Sequence, residues 1–508
     1  MGNQPNILVI MADQLAPHFC GSYGHPVVKT PHMDRLVARG TRFDAAYCNS
    51  PLCAPSRFSF MSGQQISRIA GYDNAAEFPA SIPTFAHYLR QQGYRTCLSG
   101  KMHFVGPDQL HGFEERLTTD IYPSDHAWTP DWEQPDERID KWYHNMDSVR
   151  EAGVAATTFQ IEYDDETCFF ARRRLFEYAM NKTTPFAMVA SFIHPHDPYV
   201  ARPEWWNLYR DEEIDMPVRE PADDPHTRRL MKGIEADKVA ATEAEIRAAR
   251  RAYYANTSYF DSKIGELVRT LEEAELLDDT IIIVTSDHGD MLGERGLWYK
   301  MNFFEHSARV PLIMAGPGVV HRTVAEPVSL VDLLPTFLEI ASGGEVVSED
   351  LGMPIDGRSL WPLARGGAEN ADGEVIAEYC AECASHPMFM IRRGQYKYIH
   401  CDIDPPQLFD LDADPYERVN LATEPDHADR AAAFAQEVAE RWDSDGIRQD
   451  VLAKQRQRRA VHAAMEAGLL TSWDYQPVRD ASNEFVRNHM DWTVAAEKTR
   501  FPPFNHRS

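Results

Sequence analysis

Four short, largely apolar runs, residues 6–11, 95–99, 186–193 and 280–285, set the frame of this chain. Each is too brief for a core helix and rich in strand-forming residues, so each predicts a buried strand. Between them the apolar spacing becomes helical, over 82–92 and over 258–275, where Ile264, Leu267, Val268 and Leu271 fall on one face. Strands alternating with helices predict an α/β sandwich around a parallel sheet.

Each run ends within a few residues of side chains capable of chemistry: Asp13 and Gln14, Lys101 and His103, His194 and His196, Asp287 and His288. In open α/β sheets ligands bind beyond the carboxyl ends of strands, so these clusters are expected to converge on one site. The pattern changes near residue 374. Residues 389–391 and 396–400 read as strands around Arg393-Gly394, predicting a small antiparallel subdomain, and 431–442 and 449–467 read as helices. The residues beyond carry aromatics without a period of their own, as a tail does when it packs on another surface or subunit. The expected division is a catalytic domain over 1–370, a small antiparallel-sheet subdomain over 371–445, and a helix and tail over 446–508.

With 43% hydrophobic and 25% charged residues in 508, the composition is that of an ordinary globular protein. Run 6–11 is short and lacks a basic leader, so neither a signal peptide nor a membrane span is expected, and the location expected is cytoplasmic. A net charge of -27 argues against nucleic acid and anionic lipid as partners and favours a cationic substrate or a metal. Acidity alone can also do no more than maintain solubility. Eight cysteines without a secretory leader suggest reduced thiols. Cys380 and Cys383 form a lone C-x-x-C, read as packing thiols rather than a zinc or redox site.

The sharpest motif is Cys53-Ala54-Pro55-Ser56-Arg57, followed by Met61-Ser62-Gly63. It resembles the Cys-x-Pro-Ser-Arg modification motif of the sulfatase family, whose cysteine is oxidised to formylglycine. A packing cysteine needs none of these neighbours, whereas Pro55 fixes a helix start and Arg57 brings a permanent fork of donors. The resemblance implies an alkaline-phosphatase/sulfatase-like fold: a large mixed sheet flanked by helices, a smaller C-terminal α/β subdomain and an extended C-terminal tail. It also implies a formylglycine-generating enzyme as a partner in maturation. The hydrated aldehyde carries two hydroxyls on one carbon; one can attack sulfur, and loss of the other's proton can later expel sulfate.

By the same resemblance a divalent metal is held by Asp13, Gln14, Asp287 and His288, with Cys53 completing the shell. Many sulfatases have a second aspartate in place of Gln14 and an asparagine in place of His288; the combination here resembles choline sulfatases and phosphonate monoester hydrolases. An imidazole in the shell shifts preference from calcium toward manganese, and either ion is expected. Taken alone, Asp13 reads equally well as a helix cap. The resemblance further implies that Arg57 and Lys101 hold the formylglycine and sulfate oxygens, that His103 takes the proton that collapses the intermediate, and that Asn74 lines the pocket. His196 and Lys300 would touch the leaving oxygen and supply its proton. A lone loop lysine such as Lys300 is ordinarily a solvated charge, and His194 reads as a packing histidine.

The stretches Gly71-Tyr72-Asp73-Asn74-Ala75-Ala76-Glu77-Phe78, Ser99-Gly100-Lys101-Met102-His103-Phe104, Gly106-Pro107-Asp108-Gln109-Leu110-His111-Gly112-Phe113 and Trp473-Asp474-Tyr475-Gln476-Pro477 resemble choline sulfatases almost end to end. Residues 380–387 depart from that pattern. The implied substrate is a small cationic sulfate ester, choline sulfate first. A quaternary ammonium offers no N–H and is held by aromatic faces and carboxylates. The loop 122–136 supplies Tyr122, Trp128 and Trp132, with Trp128 the favoured contact. Asp491 is expected to face the cation from a neighbouring subunit of a homo-oligomer, dimer or tetramer. The alternatives are a phosphonate monoester or phosphodiester hydrolase or an arylsulfatase of the same superfamily, and a non-catalytic binding protein with unmodified Cys53.

Overall fold

The computed structural model describes residues 4–122, 124–135, 137–138, 144–218, 224–344, 351–467, 486–487 and 490–502. Eight strands form one sheet: β1 Asn6–Asp13, β2 Gly40–Phe43, β3 Arg95–Gly100, β4 Glu115–Arg116, β5 Phe186–Pro195, β6 Thr280–Ser286, β7 Leu312–Ala315 and β8 Arg322–Val324. Their order across the sheet is β8-β2-β7-β6-β1-β5-β3-β4. The four apolar runs are the adjacent strands β6-β1-β5-β3, all parallel. Strand β7 runs antiparallel to β6 and β2, which makes the sheet mixed.

The runs are apolar without alternation because both faces of the sheet are covered. Leu8, Ile10, Met188, Ala190, Ile282 and Val284 enter one core. Ile7, Val9, Ala187, Val189, Ile281 and Ile283 enter the other. Helices α3 Phe159–Ala179 and α4 Glu243–Glu273 cover the first face through Ala171, Leu175, Ile264 and Leu267. Helices α1 Cys53–Ser62, α2 Phe85–Gln91 and α5 Leu333–Ser342 cover the second through Phe58, Phe85 and Phe337. The sequence pattern placed the start of α4 at 258, but the helix begins at Glu243, where Thr242 and Glu245 form a capping box. Its first turns bury Arg250, Tyr253 and Tyr254, polar residues that hide the helical period.

A second, antiparallel sheet follows: β9 Glu374–Tyr379, β10 Met388–Arg393, β11 Tyr396–Cys401 and β12 Asp404–Asp410. Its ends at Glu374 and at Asp404-Pro405-Pro406 are poor strand formers, which is why only the two inner strands were legible. Helix α6 Ala428–Arg441 covers one face, with Phe434 and Val438 against Phe389, Tyr398 and Leu408. The other face brings Met388, Met390 and Ile399 into the main core. Helices α7 Ser444–Ala467 and α8 Trp492–Thr499 complete the described chain. No described helix is long and apolar enough to cross a membrane.

The small sheet is pinned by one buried lysine. Lys397 lies 2.6 Å from Glu305 and 2.8 Å from Glu417, and donates to the Phe303 carbonyl at 2.8 Å. Replacing it takes the nearest counter-charge from two buried carboxylates and leaves Glu305 only the more distant Arg309, at 3.8 Å. Lys397→Met is therefore expected to lower the free energy of unfolding by roughly 3–5 kcal/mol, measured by chemical denaturation.

Candidate active site

The site lies beyond the carboxyl ends of β1, β3, β5 and β6 and is closed by the first turn of α1. Asp13 ends β1 and caps no helix, and the next residue, Gln14, turns back through φ 65°. Asp287 and His288 follow β6 directly. Cys53 opens α1, whose N-cap residue Leu52 has no side-chain acceptor. Asn74, from a distant loop, supplies one: its Oδ1 accepts from the Ala54 N–H at 2.9 Å. Asn74 thus holds the nucleophile's helix in place, and its carbonyl lies 3.2 Å from His103 Nε2.

Arg57 sits one turn after Cys53 and is completely buried. Its guanidinium donates to Asp287 at 2.8 Å, Asp13 at 3.0 Å, the Lys101 carbonyl at 2.7 Å and Ser191 Oγ at 2.9 Å. It braces the carboxylates from behind. Lys101 Nζ meets Asp13 Oδ2 at 2.5 Å from the other side. This junction needs Gly100, at φ +106°, because a Cβ there would lie 1.9 Å from the Ser191 carbonyl oxygen.

Asp13, Cys53, Asp287 and His288 are all buried, with ligand atoms within 4.8 Å of one another. The Cys53 sulfur lies 3.3 Å from His288 Nε2 and 4.0 Å from Asp13 Oδ1. Two carboxylates, an imidazole and a fourth donor converging in a buried cluster are a donor set suited to a divalent cation. Gln14 borders this cluster. Its amide N–H donates to Asp290 at 2.8 Å, so its oxygen faces inward, where it accepts from Lys300 Nζ at 2.5 Å. Asp290 also accepts from Tyr199 and fixes that orientation.

Lys300 is buried and paired, not solvated as a loop lysine would ordinarily be. Its Nζ lies 3.0 Å from His196 Nε2. The residues on either side, Tyr299 and Met301, have φ of 66° and 75°, and His103 has 61°. Such backbone costs about 1–3 kcal/mol each in non-glycine residues and persists where surrounding structure enforces it. His194 turns away, its Nδ1 2.7 Å from Asp164.

The electrostatics favour an anion at residue 53. Burial raises the Cys53 thiol, but Lys101, Lys300 and His288, with a hydrogen bond from His103, outweigh it and bring it well below the usual thiol range. Burial and the Cys53 sulfur raise Asp13; Lys101, His196 and Arg57 overcome both and hold it ionised. Burial lowers Lys101, yet Asp13 and Cys53 push it up to about 12.

Trp128 is half-buried, its ring centroid 5.8 Å from that of His103. The Tyr122 ring has Lys101 Nζ 5.0 Å from its centre and the His196 ring 5.7 Å away. Trp132 is a packing residue, its indole N–H donating to the Ala381 carbonyl at 2.9 Å. Asp491 is exposed and caps α8, accepting from the Thr493 and Val494 N–H groups. In the same chain Phe501 packs on Phe176 and Lys182, beyond the strands' amino ends, so the chain's own tail does not bring Asp491 to the site.

Three groups were not anticipated from sequence. Asp197 lies 3.2 Å from His196 Nδ1 and 3.5 Å from His144, and accepts from Ser148 at 3.0 Å; its position next to His196 was the available signal. Asp290 follows Asp287 by three positions. Glu382 lies inside the C-x-x-C, in the stretch that departs from the family pattern. It is 1% exposed, and neither carboxylate oxygen has a hydrogen-bond partner among the described residues. Burial raises its carboxyl well above the usual range, outweighing the lowering effects of its own backbone N–H and of Lys300.

Fold and site together present a metal-capable acidic cluster around a cysteine at a helix start, an arrangement suited to a hydrolase. Residues 5–344 match the profile described as Sulfatase, so the chain belongs to the sulfatase family and is a sulfuric ester hydrolase. Residues 449–501 match the profile "Choline sulfatase enzyme C terminal", and 293–443 match "N-sulphoglucosamine sulphohydrolase, C-terminal". A choline-sulfatase of Rhizobium meliloti (strain 1021) is 48% identical over 98% of this chain and 99% of its own length. An arylsulfatase K of Rattus norvegicus is 30% identical over 83% of this chain and 75% of its own. Among solved structures, a phosphonate monoester hydrolase of Agrobacterium radiobacter shares the fold with a TM-score of 0.69 at 22% identity, covering 94% of this chain and 100% of that one. A protein solved with its substrate D-glucosamine-2-N,6-O-disulfate aligns with a TM-score of 0.67 at 25% identity, over 88% and 98% of the two chains.

Asp287→Asn removes one charge from the acidic cluster and from Arg57. Bound divalent metal, measured by elemental analysis after dialysis against a range of metal concentrations, is expected to show affinity weakened roughly tenfold or more, with occupancy restored by excess ion.

Proposed function

We propose that this enzyme hydrolyses choline-O-sulfate to choline and sulfate, with formylglycine made from Cys53 as nucleophile. The observation that carries the cationic substrate is Glu382. A buried carboxylate with no protein partner is costly, and a cation beside it would offset that cost. Lys101, Lys300 and His103, which act on residue 53, suit the sulfuryl group, while Trp128, beside His103, offers an aromatic face to a trimethylammonium. The relative at 48% identity, named a choline-sulfatase, and the match over 449–501 support the same substrate.

The residues present fit a divalent cation, calcium or manganese, held by Asp13, Gln14, Asp287, His288 and residue 53. When bound, it supplies positive charge that lowers the pKa of the formylglycine hydroxyl. The Cys53 sulfur marks where the hydrate's oxygens stand. The field that draws this thiol down favours an ionised oxygen there, and that oxygen attacks sulfur. The sulfur–oxygen bond to choline breaks as the Lys300–His196 pair, 3.0 Å apart, gives a proton to the departing oxygen. Asp197 sets the His196 tautomer through Nδ1, leaving Nε2 for this transfer. His103 then takes the proton of the second hydroxyl, the carbon–oxygen bond to sulfate breaks, and the aldehyde is regenerated and rehydrated. Arg57 and Lys101 keep the acidic cluster and the sulfuryl oxygens in register throughout.

The same reading places the enzyme in the cytoplasm as a homo-oligomer, dimer or tetramer, matured by a formylglycine-generating enzyme. Trp492 at 80% exposed and Met490 beside it form an apolar surface suited to a second copy. Through that contact Asp491 of a neighbouring chain would close the cation pocket.

Peptide mass analysis of protein made in a host with the maturation enzyme is expected to show residue 53 as an aldehyde trapped by hydrazide; fully active enzyme with an intact thiol would rule the mechanism out. Glu382→Gln removes charge while keeping shape. It is expected to cost about 2 kcal/mol in kcat/KM for choline sulfate and little for a neutral aryl sulfate. Asp491→Asn should show the same split, and equal losses on both esters would remove these carboxylates from the cation pocket.

A further inference from the structure

Helix α7 buries Val451, Gln455 and Arg458, spaced i, i+4 and i+7 and so on one face. Two of the three are polar, on a stripe that leucine would fill without desolvation cost. Each polar residue reaches a loop that borders the active site. Arg458 donates to Asp73 at 2.5 Å, with both side chains buried. Gln455 accepts from the Trp132 N–H at 3.0 Å. Asp450, on the same helix, accepts from the Tyr72 hydroxyl at 2.8 Å.

These contacts lead to both sides of the cation pocket. Asp73 accepts from the Ala75 N–H at 3.0 Å, and the Ala75 carbonyl lies 3.1 Å from His126 Nδ1. His126 and Trp128 share one short 3-10 helix, against which α7 packs. Trp132 passes its hold to the Ala381 carbonyl, next to Glu382. The aromatic face and the carboxylate are far apart in sequence, and α7 ties the loops that carry them to one rigid element.

We propose that Gln455 and Arg458 are positioning residues of the cation pocket: from α7 they fix the loops carrying Trp128 and Glu382 relative to each other without touching substrate. A directional ion pair and a backbone hydrogen bond each admit one register, whereas an apolar stripe could slide. The proposal rests on the choline sulfate reading.

The test is steady-state kinetics of Gln455→Met, Arg458→Met and Asp73→Asn/Arg458→Met on choline sulfate and 4-nitrophenyl sulfate, with formylglycine content and melting temperature measured alongside. Gln455→Met is expected to raise KM for choline sulfate about five- to tenfold while kcat, and kcat/KM for the aryl ester, change less than about threefold. Arg458→Met should lower the melting temperature as well; the added Asp73→Asn should recover stability but not KM. Arg458→Lys, which keeps the charge and loses the fork, covers the case in which Arg458→Met does not fold, and should raise KM for choline sulfate alone. Equal losses on both esters, or an unchanged KM for choline sulfate in folded protein, would overturn the proposal. The wild-type preference between the two esters is measured first. If choline sulfate is not preferred, the substrate reading fails and this inference falls with it; if it is preferred and every variant keeps it, only the role of α7 fails.

Discussion

Everything at the catalytic end of this protein depends on the burial of the Arg57 guanidinium. Removed from water, its donors must find partners in the protein, and these come from the ends of four strands: Asp13 at the end of β1, Lys101 after β3, Ser191 in β5 and Asp287 after β6. An exposed ion pair of this kind would contribute little. Here the cost of leaving any member unpaired forces the strand ends into one register. Because Arg57 lies one turn from Cys53, the same constraint delivers Cys53 to the acidic cluster.

The arrangement is held against local preference. Gln14, His103, Tyr299 and Met301 adopt left-handed backbone at or beside residues of the candidate site. Asp290 and Asp197 stand behind Gln14 and His196 and decide which atom each presents inward. The positive charge of Lys101 and Lys300 is therefore fixed before substrate arrives. A preorganised field of this kind suits the charge that would develop on a sulfuryl group in the proposed reaction.

The opposite side of the pocket has a different logic. Glu382 is buried without a partner, while Trp128 stays half-buried on a loop held by side chains of α7. Arg57, Lys101, Asp13 and Asp287 are paired with one another within the protein, whereas the Glu382 carboxylate has no such partner. That asymmetry suits a substrate carrying opposite charges at its two ends.

The sequence by itself determined the four central strands, since short, largely apolar runs rich in strand formers fit a sheet covered on both faces. It also singled out Cys53, the acidic residues and the cationic set, because their residue types follow strand ends and one specific motif, and the structure brings Asp13, Cys53, Asp287 and His288 together. Only the tertiary structure decided what those residues do to one another. Arg57 proved to brace carboxylates and Asn74 to cap α1, and Lys300, which composition would place in solvent, is buried against Gln14 and His196. Glu382 was hidden inside a cysteine pair, and Gln455 and Arg458 inside an ordinary helical pattern. Burial and unmet hydrogen bonding are properties of the packed chain, and no spacing along the sequence encodes them.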